Sequence, residues 1–248
     1  MIRRFRADLH LHTVLSPCAD LGMSPDQIIA VAQERKLDLI AITDHNSTKQ
    51  CRVVRELAAG TGITVLNGCE VNSREEVHAL CLFEDDHSTH EFQQFIDQHL
   101  LQIPNRPDYF GYQVVVDRNN QITEEVPWYL GNGLTVGIDE IADFVHRLHG
   151  LFIPAHIDRP INSLYSQLGF LPTELRVDAM QISRRSSEQQ VRAQFDIHPE
   201  ICLIKASDAH YLDDIGTACT VFEMAGTSFD EIRMALLQKN GRSVKIET

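Results

Sequence analysis

Two histidines stand two residues apart in Asp8-Leu9-His10-Leu11-His12-Thr13, and on an extended strand such a pair leaves the same side and can close on one metal ion. The same arrangement recurs along the chain: an apolar run stops and ligand-capable residues begin. Asp44-His45-Asn46 follows Leu37 to Thr43, Glu70 falls at the end of Ile63 to Val71, and His78 stands near the start of Val77 to Phe83. His156 follows Leu151 to Ala155, and Asp208-Ala209-His210 follows Ile201 to Ser207. Six of the twelve histidines therefore sit at the ends of apolar runs, and the combination carries the reading. The other six (His87, His90, His99, His146, His149 and His198) fall in predicted helices or loops and read as surface or packing residues. Imidazoles with Glu70 and Asp208 form a mixed nitrogen and oxygen donor set, which suits zinc, manganese or iron better than calcium or magnesium.

Placing those residues together requires a scaffold of strands that end at a common level. Beyond the runs already given, Phe5 to His12, Ala179 to Ser183 and Thr220 to Met224 read as strands. Between them Pro25 to Arg35, Thr48 to Ala59, Ser88 to Leu101, Ile138 to His149, Ser186 to Phe195 and Phe229 to Lys239 read as helices. Alternation of the two predicts an α/β fold, and sites in such barrels are built at the C-terminal ends of strands. Residues 103–137 break the rhythm, with three prolines and an Asn119-Asn120 turn between Tyr112 to Val116 and Gln121 to Val126; they read as a hairpin-like insertion within one domain spanning 1–248.

The 248 residues carry a formal net charge of −13, which disfavours an extended duplex nucleic acid as partner, because phosphate backbones are met by basic surfaces. A small phosphorylated substrate is compatible, since bound cations reverse the local field in an acidic cleft. Six cysteines without CxxC spacing read as reduced thiols, and no apolar run approaches a membrane span, so the expectation is a cytoplasmic protein with no membrane partner.

On the motifs Asp8 to Thr13, Ile42 to Asn46, Gly68 to Glu70, Val77-His78, Pro154 to His156 and Ser207 to His210, the sequence resembles the PHP (polymerase and histidinol phosphatase) family over nearly its full length. The resemblance implies a distorted (β/α)7 barrel with two or three divalent ions at the strand C-terminal ends. It implies that His10, His12, Glu70 and Asp208 hold the first ion, that Glu70 bridges to a second completed by His78 and His156, and that His45 and His210 serve a third. Glu70, Asp208 and His210 then stand at the catalytic centre. The position six residues beyond the second histidine of the HxH pair, a histidine or aspartate in the family, is Cys18 here; either Cys18 ligates, or Asp20 reaches in, or the third position is weakly filled. Asp44 is expected behind the ligands, orienting an imidazole.

The chemistry expected is attack of a metal-activated hydroxide on phosphorus, with Arg159, Arg184 and Arg185 as candidates to clamp the phosphate oxygens. A small phosphate ester is favoured as substrate, with a nucleotide or short oligonucleotide compatible. Two rivals stand beside this reading: an amidohydrolase-like C–N hydrolase, which would want a bridging lysine, and a catalytically silent metal-binding or regulatory module.

Overall fold

The computed structural model describes residues 1–247. Strand β1 (Arg3–Leu11) lies between β10 (Thr220–Met224) and β2 (Leu39–Ile42) in a seven-stranded sheet that also contains β3 (Thr64–Asn72), β4 (His78–Phe83), β7 (Leu151–Pro154) and β11 (Ser243–Ile246). Its order is β11-β10-β1-β2-β3-β4-β7. A separate parallel pair, β8 (Met180–Ile182) and β9 (Leu203–Lys205), sits beside β7 on one side and β11 on the other, so the sheet curls toward closure. The lining residues explain the curl. Ala7, Leu9, Leu39, Ala41, Leu66, Leu80, Leu82, Ile153, Ile204 and Phe222, one face of each strand, form a single interior cluster floored by Phe229, Ile232 and Leu236 of α8 (Phe229–Leu236). The alternate residues Ile40 and Ile42 pack outward on α1 (Pro25–Glu34) and α2 (Cys51–Ala58), as the two-residue period of a strand requires.

The barrel is distorted at particular places. Strand β4 runs antiparallel to both β3 and β7, and β10 runs antiparallel to β1, so the repeating parallel unit is broken twice. This reversal explains the placement of His78. It opens β4, as the sequence places it, and because β4 is inverted its first residue reaches the same rim as the last residues of β1 to β3. On β1 the register with β2 shifts between Asp8 and Leu11. Leu9 consequently joins the interior cluster and Leu11 the outer one, although their spacing would put them on one face.

Residues 103–137 hold the short helix α4 (Pro107–Phe110) and an antiparallel hairpin of β5 (Val114–Val116) and β6 (Ile122–Glu125). Helix α3 (Asp86–His99) precedes this segment and α5 (Ile138–Arg147) follows it; α6 (Leu164–Leu168) and α7 (Glu188–Gln194) flank β8. The segment lies against the loops after β1 and β2: Val114 N–H donates to the Val14 carbonyl at 3.4 Å, and the side chain of Asn46 donates to the carbonyls of Leu130 and Asn132, each at 2.7 Å. Gly111 has φ +93°, and a Cβ there would stand 2.0 Å from the carbonyl oxygen of Pro17. Gly111→Ala is therefore expected to lift the insertion off this loop and lower stability by about 1–3 kcal/mol, read as a shift of the urea midpoint; an unchanged midpoint would show that the contact is dispensable.

Candidate metal centre

The rim of the barrel gathers six imidazoles and two carboxylates whose sequence positions span two hundred residues. His10 and His12, both fully buried, bring their Nε2 atoms to 3.1 Å. Glu70, the upper interior residue of β3, stands at the centre. Its Oε2 lies 3.3 Å from His10 Nε2, 3.4 Å from His12 Nε2 and 3.1 Å from His45 Nδ1. Its Oε1 faces the other way, 3.1 Å from His78 Nδ1 and 3.0 Å from His156 Nε2. Asp208 Oδ1 completes the first set, 3.3 Å from the Nε2 atoms of both His10 and His12. Three groups of donor atoms thus converge within 4.8 Å: His10, His12, Glu70 and Asp208; His45, Glu70 and His78; and His12, His45 and His210.

Backbone geometry reinforces the site. His156, Asp208 and Asn46 have φ of +30°, +55° and +43°, a region that non-glycine residues occupy rarely and at a cost on the order of 1–3 kcal/mol. Asp8 holds one of these segments in place: its buried carboxylate accepts from Ser207 N at 2.9 Å and Gly216 N at 2.8 Å, tying β1 to the loop that presents Asp208. Burial pushes the Asp8 carboxyl up to about 6 against those hydrogen bonds.

Charge within the cluster is divided unequally. Burial works to lower the pKa of His12, but hydrogen bonds and negative charge from Asp208 and Glu70 outweigh it and push it up to about 10. His10 is raised in the same way, burial being overcome by Glu70 and Asp208. Both carboxylates are held well below their usual range: burial opposes this, but for each the charge of His10 leads the groups that prevail. Burial instead lowers His45, His156 and His210, the last to about 4 with the charge of His12 adding to the effect. Those three rings offer lone pairs at neutral pH without losing a proton.

The remaining sequence candidates are placed as follows. Asp44 is buried behind the cluster and accepts from Thr13 N at 2.7 Å, Thr13 Oγ1 at 2.8 Å and Ser16 Oγ at 2.6 Å; it reaches an imidazole only through Ser16, whose Oγ lies 2.9 Å from His12 Nδ1. Cys18 and Asp20 lie outside all three donor groups. The Asp20 carboxylate turns away to accept from Gly22 N at 2.7 Å, while burial and the charge of Glu70 push the Cys18 thiol up to about 12. Arg159 reaches the cluster, Nη2 standing 2.5 Å from Asp208 Oδ2. Arg184 is paired with Asp214 at 2.5 Å, and Arg185 lines a different cavity with Lys205 and Lys245. Sequence reasoning missed Ser16 and Gln181, whose Oε1 lies 2.9 Å from His10 Nδ1. Gln181 carries a readable signal, a lone polar residue within the buried strand Met180–Ile182; Ser16, in a loop, carries none.

The PHP domain family matches residues 8–236. A curated relative, the phosphoribosyl 1,2-cyclic phosphate 1,2-diphosphodiesterase of Eggerthella lenta, is 31% identical over 80 residues, covering 30% of this chain and 29% of its own length. The lesion-specific endonuclease of Pyrococcus furiosus superposes with a TM-score of 0.76 at 20% identity, over 98% of this chain and 58% of that one. A Bifidobacterium adolescentis protein classed provisionally as a metal-dependent phosphoesterase superposes with a TM-score of 0.55 at 17% identity, over 92% and 94% of the two chains. This chain thus spans under a third of the curated relative's length and under two thirds of the endonuclease's. With the match running through nearly the whole chain, and with its motifs meeting in one buried cluster, the chain belongs to the PHP domain family.

Proposed function

We propose that this chain hydrolyses small phosphate esters, a phosphomonoester or a nucleotide, at a site holding two or three divalent ions. The observation that carries the reading is Glu70: its two oxygens face two different sets of imidazoles, the arrangement a bridging carboxylate needs. His10, His12, Glu70 and Asp208 would hold one ion, Glu70, His78 and His156 a second, and His45 and His210 would serve a third. The donor set fits: carboxylates and imidazoles point at one another across about 3 Å of low-dielectric interior, an arrangement suited to a cation between them, with zinc, manganese or iron favoured. Such ions, when bound, lower the pKa of water to near neutral and neutralise charge on phosphoryl oxygens.

The protein's own groups then bind and orient the ester. Arg159 stands at the open side of the cluster with a guanidinium free to leave Asp208 for a phosphoryl oxygen. Arg159→Ala is expected to lower kcat/KM by about 10–100-fold, mostly through KM, and an unaltered KM would remove Arg159 from the substrate site. Tyr211, next to His210, and Phe110, stacked on Tyr129 at 4.1 Å, are exposed on segments flanking the cluster and offer faces to an aromatic base. They favour a nucleotide over a bare phosphate ester.

The similarity to Endonuclease Q, solved in complex with a 27-mer duplex substrate bearing an abasic lesion, keeps a nucleic-acid substrate as a second reading, against which the net charge of −13 weighs. An amidohydrolase-like activity is disfavoured because Glu70, and no lysine, faces both sets of imidazoles. The deciding experiment is hydrolysis of a chromogenic phosphomonoester, a phosphodiester, nucleoside bisphosphates, a short oligonucleotide and an abasic duplex by chelator-treated protein resupplied with manganese, zinc or iron. Metal-dependent release from the small esters supports the proposal. Release from the duplex alone would replace it with the second reading, and no release by a metal-loaded protein would favour a silent module.

A further inference from the structure

We propose that Ser16 is a positioning residue that fixes the Nδ1–H tautomer of His12 and so presents the His12 Nε2 lone pair to the cluster. The inference rests on the reading above only in taking His12 as a ligand. It follows from counting protons on one buried hydroxyl. A serine hydroxyl has one hydrogen to give and two lone pairs to receive. Three groups stand within hydrogen-bond distance of Ser16 Oγ: Asp44 Oδ1 at 2.6 Å, the backbone N–H of His45 at 3.1 Å and His12 Nδ1 at 2.9 Å. The backbone N–H can only donate. Asp44 takes donors from Thr13 N and Thr13 Oγ1 as well, so it is the acceptor-only, ionised form and receives the serine hydrogen. One lone pair of Ser16 remains for His12, so Nδ1 must bring the hydrogen.

With Nδ1 committed as a donor, Nε2 is the atom that faces Glu70 and Asp208 at 3.4 and 3.3 Å. Ser16 is itself held: its backbone N–H closes a turn onto the Thr13 carbonyl at 3.0 Å, and it is fully buried. The same hydroxyl therefore joins the loop after β1 to the loop after β2, orienting a ligand on one and the backbone of a ligand on the other. A ligating imidazole whose second nitrogen is fixed in this way binds metal more tightly, and removing such a partner typically costs about 10–100-fold in affinity.

The test uses zinc-loaded protein labelled with 15N-histidine. In the wild type, one imidazole resonance, assigned by its loss in His12→Gln, should show a slowly exchanging Nδ1–H and a metal-bound Nε2. Ser16→Ala should lose that protected N–H and bind zinc about 10–100-fold more weakly, and Ser16→Thr, which keeps the hydroxyl, should restore both. Wild-type zinc affinity together with a protected Nδ1–H in Ser16→Ala would overturn the proposal. If Ser16→Ala does not fold, Ser16→Cys, of similar shape but a weak acceptor, takes its place with the same two expected losses, and normal values for both overturn the proposal. These readouts are independent of turnover. A protein that hydrolyses none of the esters yet shows them retains this inference, whereas a wild type that binds no zinc loses both.

Discussion

Glu70→Gln is expected to lower bound metal and hydrolysis together, with activity falling by more than about 100-fold. Replacing a partner that only orients a ligand typically costs 10–100-fold, and Glu70 lies at the centre of the cluster itself. The substitution keeps the shape and one carbonyl oxygen but removes the charge and turns one acceptor into a donor. That donor would face either His78 and His156 or His10, His12 and His45, on whichever side it settles. Either orientation removes an oxygen lone pair from the donors on that side, so one ion loses a ligand and the negative charge that neutralised it. Metal content by emission spectroscopy and hydrolysis of the preferred ester check the prediction side by side. Full occupancy with full activity would remove Glu70 from its bridging role, and full occupancy with lost activity would make it a group that acts on substrate.

The second large effect is the pH dependence of metal loading. In the metal-free protein His12 is pushed up to about 10, so it carries at neutral pH a proton that a metal ion must displace, and His10 is raised in the same direction. Apparent affinity for the first ion should rise with pH, about tenfold per unit for each proton released, through the range from 6.5 toward 10. The stability of the metal-free protein should move oppositely. A histidine raised above its unfolded value of 6.5 contributes stability that is fully present below 6.5 and lost as pH climbs through about 10. Glu70 and Asp208, held low, contribute stability above their ordinary values of 4.5 and 3.8 that is lost as pH falls through their depressed ones. The gap in Tm between zinc-loaded and metal-free protein should therefore widen from pH 6.5 to 9. Titration calorimetry in buffers of different ionisation enthalpy gives the protons released, and a count of zero at pH 7 would contradict the protonated His12.

Much of the cluster is legible from the chain alone, because a strand that ends at a ligand leaves a local mark: apolar alternation stops and a polar residue appears. His10, His12, His45, Glu70, His156 and Asp208 all carry that mark. His78 carries it reversed, and only the antiparallel pairing of β4 explains why the start of one strand meets the ends of the others. Three arginines looked equivalent in the sequence. Their fates differ because Arg159 follows His156 into the cluster while Arg184 finds Asp214 and Arg185 faces another cavity.

The sequence by itself determined which residue types were available and at what strand level they would stand, since both follow from the two-residue period of a strand and from where apolar runs end. The tertiary structure alone decided how those levels meet. It set the register shift between Asp8 and Leu11 that turns β1 over, the division of Glu70's oxygens between two imidazole sets, the exclusion of Cys18 and Asp20 from the donor groups, and the hydroxyl of Ser16 behind His12. Each of these depends on contacts between segments brought together by sheet pairing, or on the path of a loop, and neither leaves a periodic trace in the chain.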